Sequence, residues 1–323
     1  MAAASRLRAV FALTVLAATT VCAQTYPANR PIRVIVPLAA GGGSDITARL
    51  IAPGLAERLG QAIVVDNRPA ANGVVGTEQA ARAAPDGHTL LLAVNTHAAF
   101  PWLYPKLPFD AMKGFVPVTQ LVAAPLVATV NTSLPVTNLR DFIAYVRANG
   151  ANVNYGSSGT ASPPHLAAEL FKSMVRTDMT HVVYKGIAPA VIALLSNEVQ
   201  VLFATVLVAQ PHIRGGKLRA LGISTLKRTE SAPDWPTLSE AGLPGYEAGI
   251  WYGVLAPAGT SPAIVDRLHK EITWVLQQPK VRAQIVAQGG EPIGNTPAEF
   301  GAVMRADYQS MGKLIREKGI KLE

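Results

Sequence analysis

The sequence predicts an α/β protein of two lobes joined by two chain crossings, and three observations carry that reading. Short Val/Ile/Leu-rich runs alternate with helical patterns along most of the 323 residues, which implies parallel sheets covered by helices on both faces. The length suits two units of roughly 150 residues each. Two stretches read as crossings between the units. Val116–Val130 is a long extended apolar segment interrupted by Ala123-Ala124-Pro125, and a Pro/Ser/Thr-rich segment runs from about Gly222 to Pro244. A chain that leaves one lobe and later returns assigns residues 24–122 plus 228–323 to lobe 1 and 123–227 to lobe 2.

Ahead of lobe 1 stands a segment of another kind. Arg6 and Arg8 precede the apolar run Ala9–Ala18, and the small residues Val21-Cys22-Ala23 follow. This is a secretory signal pattern with cleavage after Ala23, because an apolar run of about ten residues is too short for a bilayer that needs roughly 20. Cleavage removes two arginines and the only cysteine. It leaves 27 basic against 21 acidic residues, a formal charge of +6, on a thiol-free chain bound for an oxidising compartment. No later apolar stretch is long enough to span a membrane, so the mature chain is expected to be soluble.

The elements then follow in order. Ile32–Leu38, Ala62–Asn67 and His88–Asn95 read as buried strands. Between the first two, Ser44 caps a helix carrying Ile46, Leu50, Ile51, Leu55 and Leu59 at helical spacing, ended by Gly60. Pro53 and Gly54 inside it predict a kink or short break. Strands are expected at 152–156, 181–184, 199–205 and 218–225, with helices starting near Pro164 and Ala188. Helical patterns at Pro262–Gln277, Lys280–Gln288 and Pro297–Lys318 close the chain.

Two strand-to-helix loops carry the strongest chemistry. In Pro37-Leu38-Ala39-Ala40-Gly41-Gly42-Gly43-Ser44-Asp45, consecutive glycines let the backbone approach a ligand. The helix that follows presents free N–H groups and a partial positive charge, which suits an anion such as a carboxylate. Ile46 stands where a dinucleotide fingerprint needs a glycine, and no Gly-Lys-Ser/Thr occurs, so neither nucleotide motif is met. The second loop, Gly156-Ser157-Ser158-Gly159-Thr160-Ala161-Ser162-Pro163-Pro164-His165, offers hydroxyls and amides as a second uncharged cradle, with His165 at a helix start as a ligand donor or a packing residue. Its glycines are one residue too close for a nucleophile elbow, and no spacing identifies a base for Ser157 or Ser158. Asn95-Thr96-His97 ends a strand and offers polar groups to a cleft, and Tyr184-Lys185-Gly186 precedes a helix in the same way, with Lys185 either a solvated surface lysine or an anion contact. The six histidines form no HxxxH or HExxH pair, so no metal site is expected. The scattered Lys and Arg argue against nucleic acid as a partner.

Further residues resemble one family. Gly41-Gly42-Gly43-Ser44-Asp45 with Ala48-Arg49-Leu50, Glu57-Arg58-Leu59-Gly60-Gln61 and Val64-Val65-Asp66-Asn67-Arg68-Pro69 is similar to the Bug/TctC extracytoplasmic receptors of tripartite tricarboxylate transporters. So are Asp86-Gly87-His88-Thr89-Leu90-Leu91, Leu107-Pro108-Phe109-Asp110, Asn154-Tyr155-Gly156-Ser157, Tyr184-Lys185-Gly186, Gly216-Lys217-Leu218-Arg219-Ala220-Leu221 and Leu255-Ala256-Pro257-Ala258-Gly259-Thr260. The resemblance covers essentially the whole mature chain in order. It implies a type II periplasmic-binding-protein fold whose lobes close on a small organic acid. It further implies a periplasmic monomer without cofactor that hands the acid to membrane permease subunits. The ligand-binding positions it marks are Leu38, Ala39, Ala40, Gly41, Gly42, Ser44, Asp45, Asn95, Thr96, Ser157, Ser158, Gly159, Thr160, His165, Lys185, Gly186 and Ala204. Leu38 stands where an aromatic is frequent, and Ala204 where many members carry Asp, which favours a non-amino, bulkier carboxylate. The alternatives are a secreted serine hydrolase using Ser157 or Ser158, and an orphan receptor that signals instead of feeding a permease.

Overall fold

A computed structural model describes residues 26–322, so the expected export signal over residues 1–23 lies outside the described residues. Lobe 1 opens with β1 (Ile32–Val36), α1 (Gly43–Leu59), β2 (Ile63–Asn67), α2 (Val74–Ala81), β3 (Thr89–Val94) and the short α3 (Phe100–Leu103). β1 pairs in parallel with both β2 and β3. The parallel ladder follows from the helices between strands: each crossover returns the chain to the same end of the sheet.

Helix α1 departs from expectation at two points. Its N-cap is Gly42, and Ser44 lies inside the first turn. The helix also runs unbroken through Pro53. Pro53 and Arg49 sit on the exposed face, where the Arg49 carbonyl that the proline leaves without a donor is open to solvent. Gly54 faces the other way, and a Cβ there would meet Val275 at 3.1 Å, so the pair Pro53-Gly54 serves helix packing rather than a break.

The chain crosses on β4 (Phe115–Asn131), one strand of 17 residues. Its first part, Phe115 to Pro125, pairs antiparallel with β9 (described below), and its second part, from Leu126 onward, belongs to another ladder. Lobe 2 follows with α4 (Leu139–Asn149), β5 (Asn154–Ser157), α5 (Pro163–Val175), β6 (Thr180–Val183), α6 (Ile187–Leu195), β7 (Val201–Thr205), α7 (Val206–Arg214), β8 (Leu218–Ile223) and α8 (Leu238–Ala241). β9 (Gly249–Pro257) then lies beside β4 with Gly249 opposite Pro125, and α9 (Pro262–Leu276), α10 (Pro279–Ala287), β10 (Glu291–Pro292) and α11 (Pro297–Lys318) complete the chain. The strand order is β2-β1-β3-β9-β4-β7-β5-β6, with β8 and β10 also on β4.

Each lobe is a sheet between helix layers. In lobe 1, Leu55, Leu268 and Ile272 cover one face, while Ala80, Phe300 and Met304 cover the other. In lobe 2, Phe142, Phe171 and Phe203 pack on one side, and Val191, Leu194 and Leu202 on the other. The return segment between β8 and β9 stays with lobe 2, because Leu238, Leu243 and Tyr246 share the core of Phe142. One apolar cluster joins the lobes: Ala99 from lobe 1 and Ala161 and Leu166 from lobe 2 meet Leu314, Ile315 and Ile320 at the C-terminal end of the chain.

Candidate functional site

A cavity of about 480 Å³ lies between the lobes, and both predicted loops open into it. From lobe 1 come Leu38, Ala39, Gly42, Gly43 and Ser44, with Thr96 from the end of β3. From lobe 2 come Ser158, Gly159 and Thr160, together with Gly186 at the start of α6. Among the described residues lining it, none is Asp, Glu, Lys, Arg or His. The described lining offers backbone dipoles and hydroxyls and no counter-charge.

The two loops supply those dipoles differently. The first turn of α1 directs its unpaired amides at the cavity from Gly43 and Ser44, as any helix N-terminus must. Helix α5 starts with Pro163 and Pro164, which have no N–H, and Leu166 N–H already donates to Ser162 at 2.9 Å. The second cradle therefore depends on the loop before the helix. There the Ser162 hydroxyl is buried and has no hydrogen-bond partner among the described residues.

The remaining predicted positions do not line this cavity. Ala40 and Gly41 are exposed in the same loop, and Gly41 turns the backbone at φ 79°. Asp45 points back into its own loop, where its carboxylate accepts from Gly41 N–H and Arg49 Nε, each at 2.9 Å. Burial pushes its carboxyl upward, but Arg49, the Gly41 amide and Asn67 outweigh that and hold it below the ordinary value. Asn95 is buried and donates to the Gly249 carbonyl at 2.8 Å, beside the chain crossing. Ser157 and His165 are buried behind the second loop, and Lys185 is exposed. Ala204 is 1% exposed in the lobe 2 core: strand alternation sends Leu202 and Ala204 toward Val191 and Leu194 while Phe203 faces the opposite layer. Its methyl group cannot report on a ligand.

Sequence reading missed several lining residues. Phe100, Leu103, Tyr104, Ile187, Ile250 and Tyr252 make the cavity wall largely apolar and aromatic. Tyr252 sits on β9 next to α1, so close that a Cβ on Gly43 would fall 2.2 Å from its hydroxyl. The Trp251-Tyr252-Gly253 string carried that signal, but nothing in its spacing says that β9 lies beside β3. No group of three potential metal ligands gathers among the described residues.

Two α/β lobes around an uncharged interlobe cleft define a ligand receptor of the periplasmic-binding-protein type, and the observed topology is the type II fold expected above. The chain belongs to the tripartite tricarboxylate transporter receptors, since that family's model, "Tripartite tricarboxylate transporter family receptor", matches residues 47–320. Protein BugT of Bordetella pertussis is 37% identical over 316 residues, 97% of each chain. Among solved structures, R. palustris Rpa4515 with adipate superposes with a TM-score of 0.79 at 32% identity, over 92% of this chain and 100% of that one. MatC (Rpa3494) from Rhodopseudomonas palustris with bound malate gives 0.75 at 33% identity, over 88% and 99%. Family and neighbours are binding receptors rather than enzymes.

Proposed function

We propose that this chain is a periplasmic receptor that captures a small organic carboxylate between Gly42-Gly43-Ser44 and the loop Ser158–Ser162, and delivers it as a monomer to the permease subunits of a tripartite tricarboxylate transporter. The observation that carries the ligand class is the lining: two cradles of amides and hydroxyls in one cavity, no acidic side chain among the described residues to repel an anion, and an apolar wall for its carbon chain. The adipate and malate held by the neighbours support the same class.

The expected preference for non-amino acids stands on a new ground. Ala204 is out of reach, but among the described residues no carboxylate lines the cavity, so an ammonium group there would be buried without a partner at a cost of several kcal/mol. Adipate or malate should bind at least about tenfold more tightly than aspartate or glutamate, a difference of about 1.4 kcal/mol. Calorimetry on the purified protein tests this; aspartate as the tighter ligand, or no acid binding at all, would overturn it. The packing also supports placing the two changeovers at Pro125 and Gly249 rather than at 123 and 228, because Leu238, Leu243 and Tyr246 lie in the lobe 2 core.

A further inference from the structure

Behind the second cradle, on the side away from the cleft, three rings lie in a stack. Tyr155 packs on His181 with centroids 4.7 Å apart and planes 7° from parallel, and His181 packs on His165 at 3.9 Å and 15°. Both histidines reach the loop that lines the cleft. His165 Nδ1 accepts the Ala161 N–H at 2.8 Å, across a residue held at φ 60°. His181 Nε2 lies 2.7 Å from the Ser157 hydroxyl, which in turn donates to the Gly159 carbonyl at 3.1 Å and faces the Gly159 N–H at 3.3 Å. With His181 protonated on Nε2, every contact of that hydroxyl is satisfied.

The geometry requires His165 to be neutral, because an Nδ1 that accepts the Ala161 N–H carries no proton. Burial, and then the neighbouring His181, hold His165 down at about 4; burial also lowers His181. Thr160 lines both the cleft and a second cavity behind the loop, so the loop is a thin wall with the rings as its backing. Ser157 is fully buried in this arrangement, which makes its contact with His181 a support rather than a nucleophile and base.

We propose that His165 and His181 are positioning residues for ligand capture: the stacked pair, acting through Ala161 N–H and Ser157, fixes the Ser158–Ser162 loop in its ligand-ready shape without touching the ligand. This rests on the reading of that loop as a cradle, and the test separates the two. Calorimetry with adipate and malate is combined with amide hydrogen exchange of the ligand-free protein. His165→Leu should raise Kd about tenfold or more, and speed Ala161 amide exchange by a similar factor. His165→Asn, whose side-chain oxygen can accept the same N–H, should restore much of both. Ser157→Ala, a change too small to unfold the lobe, should speed Gly159 exchange and weaken binding. If neither acid binds the unaltered protein, the ligand class fails while the exchange data still decide the positioning role. Ala161 and Gly159 amides exchanging as slowly in His165→Leu and Ser157→Ala as in the parent would overturn the proposal, as would His165→Asn behaving like His165→Leu.

Discussion

The three glycines of the first loop have different constraints. Gly41 is left-handed at φ 79°, Gly42 has an ordinary φ of −78° with room for a methyl group, and Gly43 faces the Tyr252 hydroxyl. Close approach therefore falls on Gly43, not on Gly42. Gly43→Ala should weaken carboxylate binding about tenfold by displacing either Tyr252 or the first turn of α1, while Gly42→Ala should cost little. Adding Tyr252→Phe to Gly43→Ala should return part of the affinity, since the nearest clash is with the hydroxyl; calorimetry of the double variant checks this. Ser158→Ala should cost about 1 kcal/mol of binding, the worth of one neutral hydrogen bond.

Between elements, buried charges do the joining. Glu271 on α9 is fully buried and is ion-paired with Arg58 of α1 and, at 3.0 Å, with Arg267. Arg58 also lies 4.5 Å over the Trp274 ring. Arg58→Met should cost about 2 kcal/mol, less than the ~3–5 kcal/mol of a buried charge left alone, because Arg267 remains. On α11, Asp307 accepts from Trp251 Nε1 at 2.6 Å, tying the last helix to the start of β9. Burial pushes its carboxyl up to about 6, with Glu247 adding to the rise and the Trp251 bond opposing it. A raised carboxyl binds its proton more tightly in the folded state, so stability falls as pH rises from about 4 to about 6 and stays lowered above that. Asp307→Asn should match the parent near pH 4 and be the more stable protein at pH 7.5. Urea denaturation at the two pH values measures this, and equal stabilities at both would contradict it.

For the whole molecule, two strands make the crossing and one helix spans it. β4 and β9 run side by side with Pro125 opposite Gly249, and α11 begins against lobe 1 and ends against Leu166 of lobe 2. A ligand gripped by both lobes binds only the folded chain, so adipate or malate at about 100 times its Kd should add about 2.7 kcal/mol to stability. A thermal shift with these acids but not with aspartate is the expected pattern. An equal shift with aspartate would place an acidic partner in the cleft that its lining lacks.

Much of the architecture was legible because it is local. Val/Ile/Leu runs mark the buried strands, helical spacing marks α1 and α5, and Gly41-Gly42-Gly43 and Ser157-Ser158-Gly159 mark the strand-to-helix turns at the cavity. Those loops were found by composition, and their convergence on one cavity follows from each standing at the C-terminal end of a parallel strand. What remained hidden depends on which strands become neighbours. Ala204 reads as a site residue until the pleat turns it into the core, and Tyr252 reaches the cavity only because β9 inserts beside β3. His165 and His181 are sixteen residues apart with no motif between them, and their rings stack only because β6, paired with β5, carries His181 under the first turn of α5. The sequence by itself determined the lobes, the loops and the family, because propensity, periodicity and turn chemistry act over a few residues. Only the tertiary structure decided which loop residues face the cleft and what packs behind them, because those facts depend on contacts between residues distant in the chain.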